Sequence, residues 1–215
     1  HTSLGVARKK ALKLARGDYI AILDVDDLMT TSRLEKQVDF LNNNPEYCLV
    51  SSWVKQIDEN ECIIKSLRPP SNNKDLINLI AWTNPIVHSS VMFRRVDAEK
   101  VGGYNENIKY AQDYNLYIKL HKRGKFKVLK DFLCFQRVSK DSLTKNHKFQ
   151  FIIAKEQIDH LILAKENIYM NKNLEKKNSK SIAICHIRLS LLYLKKLNFL
   201  NSYSEFCKSL KFNIF

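Results

Sequence analysis

The sequence predicts an α/β domain with a partly parallel sheet, followed by a helical tail. Three observations lead there. Up to about residue 140, short apolar runs bounded by turn residues alternate with segments of three-and-four helical spacing. Beyond Ser142 only Lys-rich helical patterns follow. Glycine and proline are scarce, at 5 and 4 of 215 residues, which favours long helices over loop-rich β architectures.

The elements follow in order. In residues 4–15, Leu4, Ala7, Ala11, Leu14 and Ala15 form one helical face, and Gly17 stands where a C-cap glycine belongs. Residues 19–23 are a continuous apolar run, as in a strand buried on both faces. Thr31 or Ser32 can cap a second helix, with Glu35 three residues after Ser32 as in a capping box. Leu34, Val38 and Leu41 give that helix an inner face, and the stretch from Asn42 to Pro45 ends it. Residues 47–54 are a strand candidate, and 55–65 an extended pair turning at Asp58, Glu59 and Asn60. Short helices are expected at 75–81 and 97–101, the second stopping at Gly102 and Gly103, with a strand at 89–93. A helix over 113–122 closes at Gly124, and strands follow at 126–129 and 132–138. Residues 149–165, 180–197 and 202–212 read as helices, and the polar stretch 171–180 as a loop. The expected division is a domain over 1–145 and a basic helical extension over 146–215.

Composition narrows the partners. The net charge is +14, and residues 140–215 hold 14 Lys or Arg against 6 Asp or Glu. Such a surplus favours phosphorylated ligands or anionic lipid, although solvated helix faces in a Lys-rich chain also produce it. No nucleic-acid motif or basic–aromatic platform is present, so a nucleic-acid partner is not expected. The five cysteines are odd in number and contain no C-x-x-C pair. That argues against a zinc site or disulfide framework and for reduced thiols in the cytoplasm. No apolar run approaches the roughly 20 residues that cross a bilayer.

The chemical question is the sequence "LDVDD", with Asp24, Asp26 and Asp27 at a predicted strand end. In α/β sheets, ligands gather at such ends. Four readings fit a carboxylate cluster there. One is helix capping beside a solvated turn. A calcium loop needs glycine at its sixth position, where Met29 stands, although Glu35 occupies the twelfth. A phosphatase with a D-x-D nucleophile and acid expects Thr or Val where Leu28 stands. The fourth is a hard cation holding a diphosphate, since Mg²⁺ or Mn²⁺ takes one or two carboxylates and completes its shell with phosphate and water. That reading needs a base and polar partners elsewhere. Asp113 opens a predicted helix, His88 precedes a strand and Arg137 ends one. Each of these could equally be an N-cap, a core histidine or a surface ion pair.

Taken together, these pieces resemble the family 2 glycosyltransferases. "GVARKKALKLARGDYIAILDVDDLMTTSRLEKQVDFL" is similar to the family's A-R-N helix, A-x-G-[DE]-Y-I strand, D-x-D-D and x-R-L-E-x-Q helix. "NPIVHSSVMFRR", "GGYNE" and "AQDYNLYIKL" follow in the family's order. The resemblance covers residues 1 to about 145. It implies the GT-A fold, a Rossmann-like, mixed and mostly parallel sheet flanked by helices, here with an α-helical C-terminal extension.

It also implies a function and roles. The expected activity is a metal-dependent, inverting transfer of a sugar from a nucleotide-sugar donor to a glycan or lipid-linked acceptor, in polysaccharide or lipooligosaccharide synthesis. Asp24 and Asp26 would meet the ribose and a Mn²⁺ or Mg²⁺ ion, Asp26 most directly, with Asp27 in support. Arg8 would lie near the nucleotide base, Asp113 would be the general base, and His88 and Arg137 would lie near diphosphate or acceptor. The chain departs from the pattern at Lys9, where Asn is common, and at Gln112, where Glu usually precedes the base. The Q-x-x-R-W signature of processive synthases is absent, favouring single additions. Since the chain opens at His1 on a helix, we expect the first βαβ part of the nucleotide site to be lacking. The competing reading is a non-catalytic remnant, or a module docking on a membrane or partner. The basic tail suggests peripheral attachment at the inner membrane face, and packing or dimerisation would explain it equally.

Overall fold

The computed structural model describes residues 4–139 and 149–212. The expected boundary at 145 and 146 lies outside them. Helix α1 (Leu4–Leu14) leads to a short strand β1 (Tyr19–Ala21), and the aspartate turn follows before β2 (Leu28–Met29) and α2 (Arg33–Asn43). Strands β3 (Tyr47–Ile57) and β4 (Ile63–Leu67) form a hairpin. Helix α3 (Asn73–Ile80), a 3₁₀ turn at His88–Ser90, β5 (Met92–Arg94), α4 (Arg95–Lys100) and α5 (Gln112–Leu120) lead to the long β6 (Lys125–Arg137). Helices α6 (Gln150–Asn167), α7 (Lys172–Lys195) and α8 (Phe199–Leu210) follow.

The sheet runs β1-β5-β3-β6-β2, with β4 paired to β3. It is mixed, but not mostly parallel: only β3 and β6 run parallel, while the other four pairings are antiparallel. A parallel pair needs a crossover, and the stretch from α3 to α5 supplies one between β3 and β6. The β3–β4 pair is instead closed by a tight turn, which yields antiparallel geometry.

Several local expectations are corrected. The run at 19–23 is not buried on both faces: β1 is a three-residue edge strand, and Ala21 and Leu23 are exposed. The strands expected at 126–129 and 132–138 are one strand, because the register skips from Ser52–Leu129 to Trp53–Phe132 and bulges out Lys130 and Asp131. Ser32 makes no side-chain cap, so the capping box does not form. The stretch 171–180 is helix rather than loop, because the Asn171 side chain caps α7 by accepting from the Leu174 N–H.

The core lies between the sheet and α3 and α5, around Leu49, Leu76, Ile80, Phe93, Leu116 and Phe126. Ala164 and Ile168 of α6 belong to that same cluster. The Asn178 side-chain amide of α7 donates to the Ala81 and Leu161 carbonyls at 2.7 and 2.9 Å. The C-terminal helices are thus seated on the α/β unit through both apolar and polar contacts.

Candidate active site

The site begins with how α2 is held. Arg33, Gln37 and Leu41 recur every four residues and form its buried face, so the expected face of Leu34, Val38 and Leu41 is corrected. Leu34 is exposed. The fully buried Arg33 guanidinium donates to the carbonyls of Ile22 and Val91 at 2.9 and 3.1 Å and to Gln37 Oε1 at 3.1 Å. Gln37 Nε2 donates to the Ser90 carbonyl at 2.8 Å. Burial pulls the Arg33 pKa down, yet five fixed donors suit it to several carbonyls at once. This clamp joins the end of β1, two residues before Asp24, to the turn preceding β5.

The three aspartates separate. Asp24 accepts from Arg8 at 2.8 Å through its carboxylate, and its backbone N–H donates to Ser89 Oγ at 3.1 Å. Asp26 is exposed at the turn, beside a fully exposed Val25. Asp27 is buried, and its Oδ1 accepts from the Arg137 N–H at 2.8 Å. Burial raises the Asp27 pKa, while bonds from Ser89 and Arg137 oppose the rise. Asp27 therefore holds the turn in place through Oδ1. The crowding of like charges is relieved by turning one carboxylate inward, pairing one with Arg8 and leaving one in water.

Arg137 and His88 are committed to the protein. The Arg137 guanidinium donates to the carbonyls of Asp26, Asp58 and Glu59 at 3.1, 3.1 and 3.2 Å and to Glu61 at 3.1 Å. It braces the aspartate turn against the β3–β4 hairpin. His88 is buried, with Nδ1 at 2.7 Å from the Tyr117 hydroxyl and Nε2 at 3.0 Å from that of Tyr104. Burial first, and then the Arg8 charge, hold its pKa well below the usual value, so it is a neutral strut. Both ring nitrogens of His88 and the Arg137 guanidinium are thus engaged within the protein.

Arg8 and Asp113 remain at the centre. Arg8 reaches from Asp24 to Gln112 Oε1, at 3.3 Å, and lies over the Tyr104 ring at 6.0 Å. Gln112 is fully buried, and next to it Asp113, in the first turn of α5, accepts from Asn84 Nδ2 at 2.9 Å. Burial raises the Asp113 pKa, against lowering by the Tyr114 N–H, Asn84 and Arg8. A raised carboxylate pKa suits proton acceptance. Asp113 faces a cleft of about 380 Å³ with Trp82, Asn84 and Tyr110 on the α/β side and Ile153, Gln157, Ser181 and Cys185 on α6 and α7. Among the described residues lining it, Asp113 alone carries a charge.

Sequence reasoning missed the support for Asp113. Glu156 of α6 accepts the backbone N–H groups of Lys109, Tyr110 and Ala111 at 2.6, 2.9 and 3.3 Å. A carboxylate from the C-terminal helices thus fixes the loop that leads to Asp113. Nothing in local spacing marks Glu156. Arg33 and Gln37 could have been found, since they share the four-residue period of Leu41.

Asp24 and Asp26 supply hard oxygen donors that fit Mg²⁺ or Mn²⁺ together with phosphate oxygens and water. Among the described residues, no three His, Cys, Asp or Glu side chains gather into a self-sufficient metal cluster. The donor set therefore suits a cation carried with a diphosphate.

The architecture is that of GT-A glycosyltransferases. A mannosyltransferase from Pyrobaculum calidifontis, solved with GDP-Man and Mn²⁺, overlays with a TM-score of 0.56 at 20% identity, over 98% of this chain and 55% of that one. TarS 1-349 of S. aureus overlays at 0.51 and 14% identity, over 97% of this chain and 71% of that one. Residues 2–102 match the family model described as Glycosyl transferase family 2. An uncharacterised glycosyltransferase of Methanocaldococcus jannaschii is 37% identical over 136 residues, 62% of this chain and 47% of the relative. The amylovoran biosynthesis glycosyltransferase AmsE of Erwinia amylovora is 29% identical over 162 residues, 75% of this chain and 60% of the relative. A UDP-Gal:α-D-GlcNAc-diphosphoundecaprenol β-1,3-galactosyltransferase of Escherichia coli is 32% identical over 119 residues, 54% of this chain and 42% of the relative. The chain spans about half the length of these curated relatives.

Proposed function

We propose that this chain carries the acceptor side and aspartate turn of an inverting hexosyltransferase. It moves a sugar from a nucleotide-sugar donor to a hydroxyl of a glycan or lipid-linked acceptor, in cell-surface polysaccharide or lipooligosaccharide synthesis at the cytoplasmic face of the membrane. The observation that carries the reading is Arg8, bridging Asp24 of the turn to Gln112 beside Asp113. One cation therefore couples the diphosphate end of the reaction to the end where the acceptor loses its proton.

Asp113 takes the proton of the acceptor hydroxyl as its oxygen forms a bond to the anomeric carbon. The bond from that carbon to the diphosphate oxygen breaks, its electron pair leaves with the nucleoside diphosphate, and configuration inverts. Asp26 and Asp24 would hold Mn²⁺ or Mg²⁺, which when bound neutralises charge on the leaving group. Arg8 adds a fixed positive charge to the same region. The neutral aromatic and amide walls of the cleft suit an uncharged sugar ring of the acceptor better than a phosphate. The names of AmsE and of the galactosyltransferase support a role in surface glycan assembly, and the Mn²⁺ of the mannosyltransferase complex supports metal use.

A panel of nucleotide sugars with Mn²⁺, Mg²⁺ or chelator tests the reading, scoring nucleoside diphosphate release with and without glycan acceptors. Metal-dependent release stimulated by an acceptor is expected. Absence of binding and release for every donor contradicts the proposal.

A further inference from the structure

Helix α8 is built inside out. Its buried residues are Ser202, Glu205 and Ser209. Its large apolar residues face outward, with Phe199 64%, Leu200 87%, Tyr203 71%, Phe206 47% and Leu210 48% exposed. At helical spacing these five share one arc of about 120°. Leu191 and Leu194 at the end of α7, and Leu197 just after it, are exposed as well.

The orientation is fixed by bonds on the opposite side. Glu205 Oε2 meets His186 Nδ1 at 2.6 Å, Lys208 donates to Glu205 Oε1 at 2.7 Å, and the Ser190 and Ser202 hydroxyls lie 3.0 Å apart. Rolling α8 to bury its aromatics would break these bonds and leave their polar groups unpaired, at a cost in each case. The apolar face is therefore held outward. Contiguous apolar surface of this kind marks an interaction site.

Charge selects the occupant. Residues 176–215 contain eight Lys or Arg and a single acidic residue, Glu205. Glu205 is buried and paired, while exposed Lys195 and Lys196 stand just before α8 in the chain and exposed Lys211 just after it. A second copy of this face would set cation against cation. An aromatic and aliphatic stripe with a lysine rim is the composition of a helix lying in a membrane interface. No described helix is long and apolar enough to cross a membrane, so the helix would lie on the bilayer rather than span it.

We propose that the outer face of α8 with the end of α7 docks on an anionic lipid bilayer. Docking goes beyond the transferase reading and needs no sugar chemistry. The full chain is floated with vesicles of phosphatidylglycerol and phosphatidylcholine, and with phosphatidylcholine alone. Flotation is expected with the anionic vesicles and should fall steeply with added salt. The triple change Phe199→Ser, Tyr203→Ser, Phe206→Ser touches only exposed side chains. It should cut partitioning about tenfold or more. Lys195→Gln, Lys196→Gln and Lys211→Gln together should weaken it to a similar extent, about tenfold. Both variants should keep the parent's circular dichroism and its transfer to a water-soluble acceptor, so loss of docking and loss of catalysis are read separately. Failure of the parent chain to float with anionic vesicles overturns the proposal. So does flotation that the aromatic triple leaves unchanged, or a dimer of the parent chain that the same triple dissolves.

Discussion

The Arg8 guanidinium lies 2.8 Å from Asp24 and 3.3 Å from Gln112, joining the aspartate turn to the helix whose first turn holds Asp113. Asp24 and Gln112, distant in sequence, thus share one guanidinium. Arg8→Leu should raise the donor KM about tenfold or more, because a charge-assisted bond beside the proposed diphosphate position is lost. It should also move the acid limb of the pH–rate profile upward, since Arg8 helps to keep Asp113 ionised. Arg8→Lys should restore only part of either effect, because an ammonium lacks the two-pronged reach. Steady-state kinetics across pH checks all three.

Asn84 gives a cleaner pH prediction. Burial raises the Asp113 pKa, so activity that needs the carboxylate falls as pH drops through a value above the ordinary aspartate range. Asn84 opposes that rise by donating to the carboxylate. Asn84→Ala should shift the acid limb of kcat/KM further up, leaving the plateau within about tenfold. The stability sign is opposite. A carboxyl whose folded pKa is raised favours the fold when protonated, so Asp113 weakens the fold as pH rises from its unfolded to its folded pKa. Asp113→Asn should flatten that part of a stability–pH curve.

Arg33 is predicted to matter for folding more than for chemistry. Removing it strands the carbonyls of Ile22 and Val91 and the Gln37 amide oxygen in a buried region. Arg33→Ala should cost about 3 kcal/mol or more, measured by denaturant titration. Arg33→Lys should recover less than half of it.

Glu156 should act at a distance from substrate. Glu156→Ala leaves three N–H groups before Asp113 without their acceptor. Turnover should fall about tenfold or more with donor affinity little changed. Glu156→Gln should retain most of the activity, since one amide oxygen still accepts. Comparing kcat with donor KM in the two variants distinguishes this from general unfolding.

How much of this was legible beforehand depended on the range of the interaction. The alternation of runs gave the α/β layout, and the ordered motifs gave the family. The turn at Asp24, Asp26 and Asp27 and the helix opened by Asp113 lay where local pattern put them. What failed was what periodicity does not encode. The edge position of β1 depends on which strands it meets, not on its own apolarity. The bond from the Arg137 backbone N–H to Asp27, and the bracing of the turn by the Arg137 guanidinium, join residues far apart in sequence. His88 is held between tyrosines from two other segments. Asn171 could have been read as a cap, but the polar run after it hid a helix whose buried face includes Leu174 and Asn178.

The most direct test of the central claim is Asp113→Asn, with calorimetric binding of the donor nucleotide and sugar transfer measured on the same preparation. The side chain keeps its size and its place beside Asn84 but can no longer take a proton at neutral pH. The account predicts donor affinity within about threefold of the parent and turnover reduced about 10²-fold to 10⁴-fold. Turnover that survives the change, or binding lost in proportion to it, would contradict a base at Asp113.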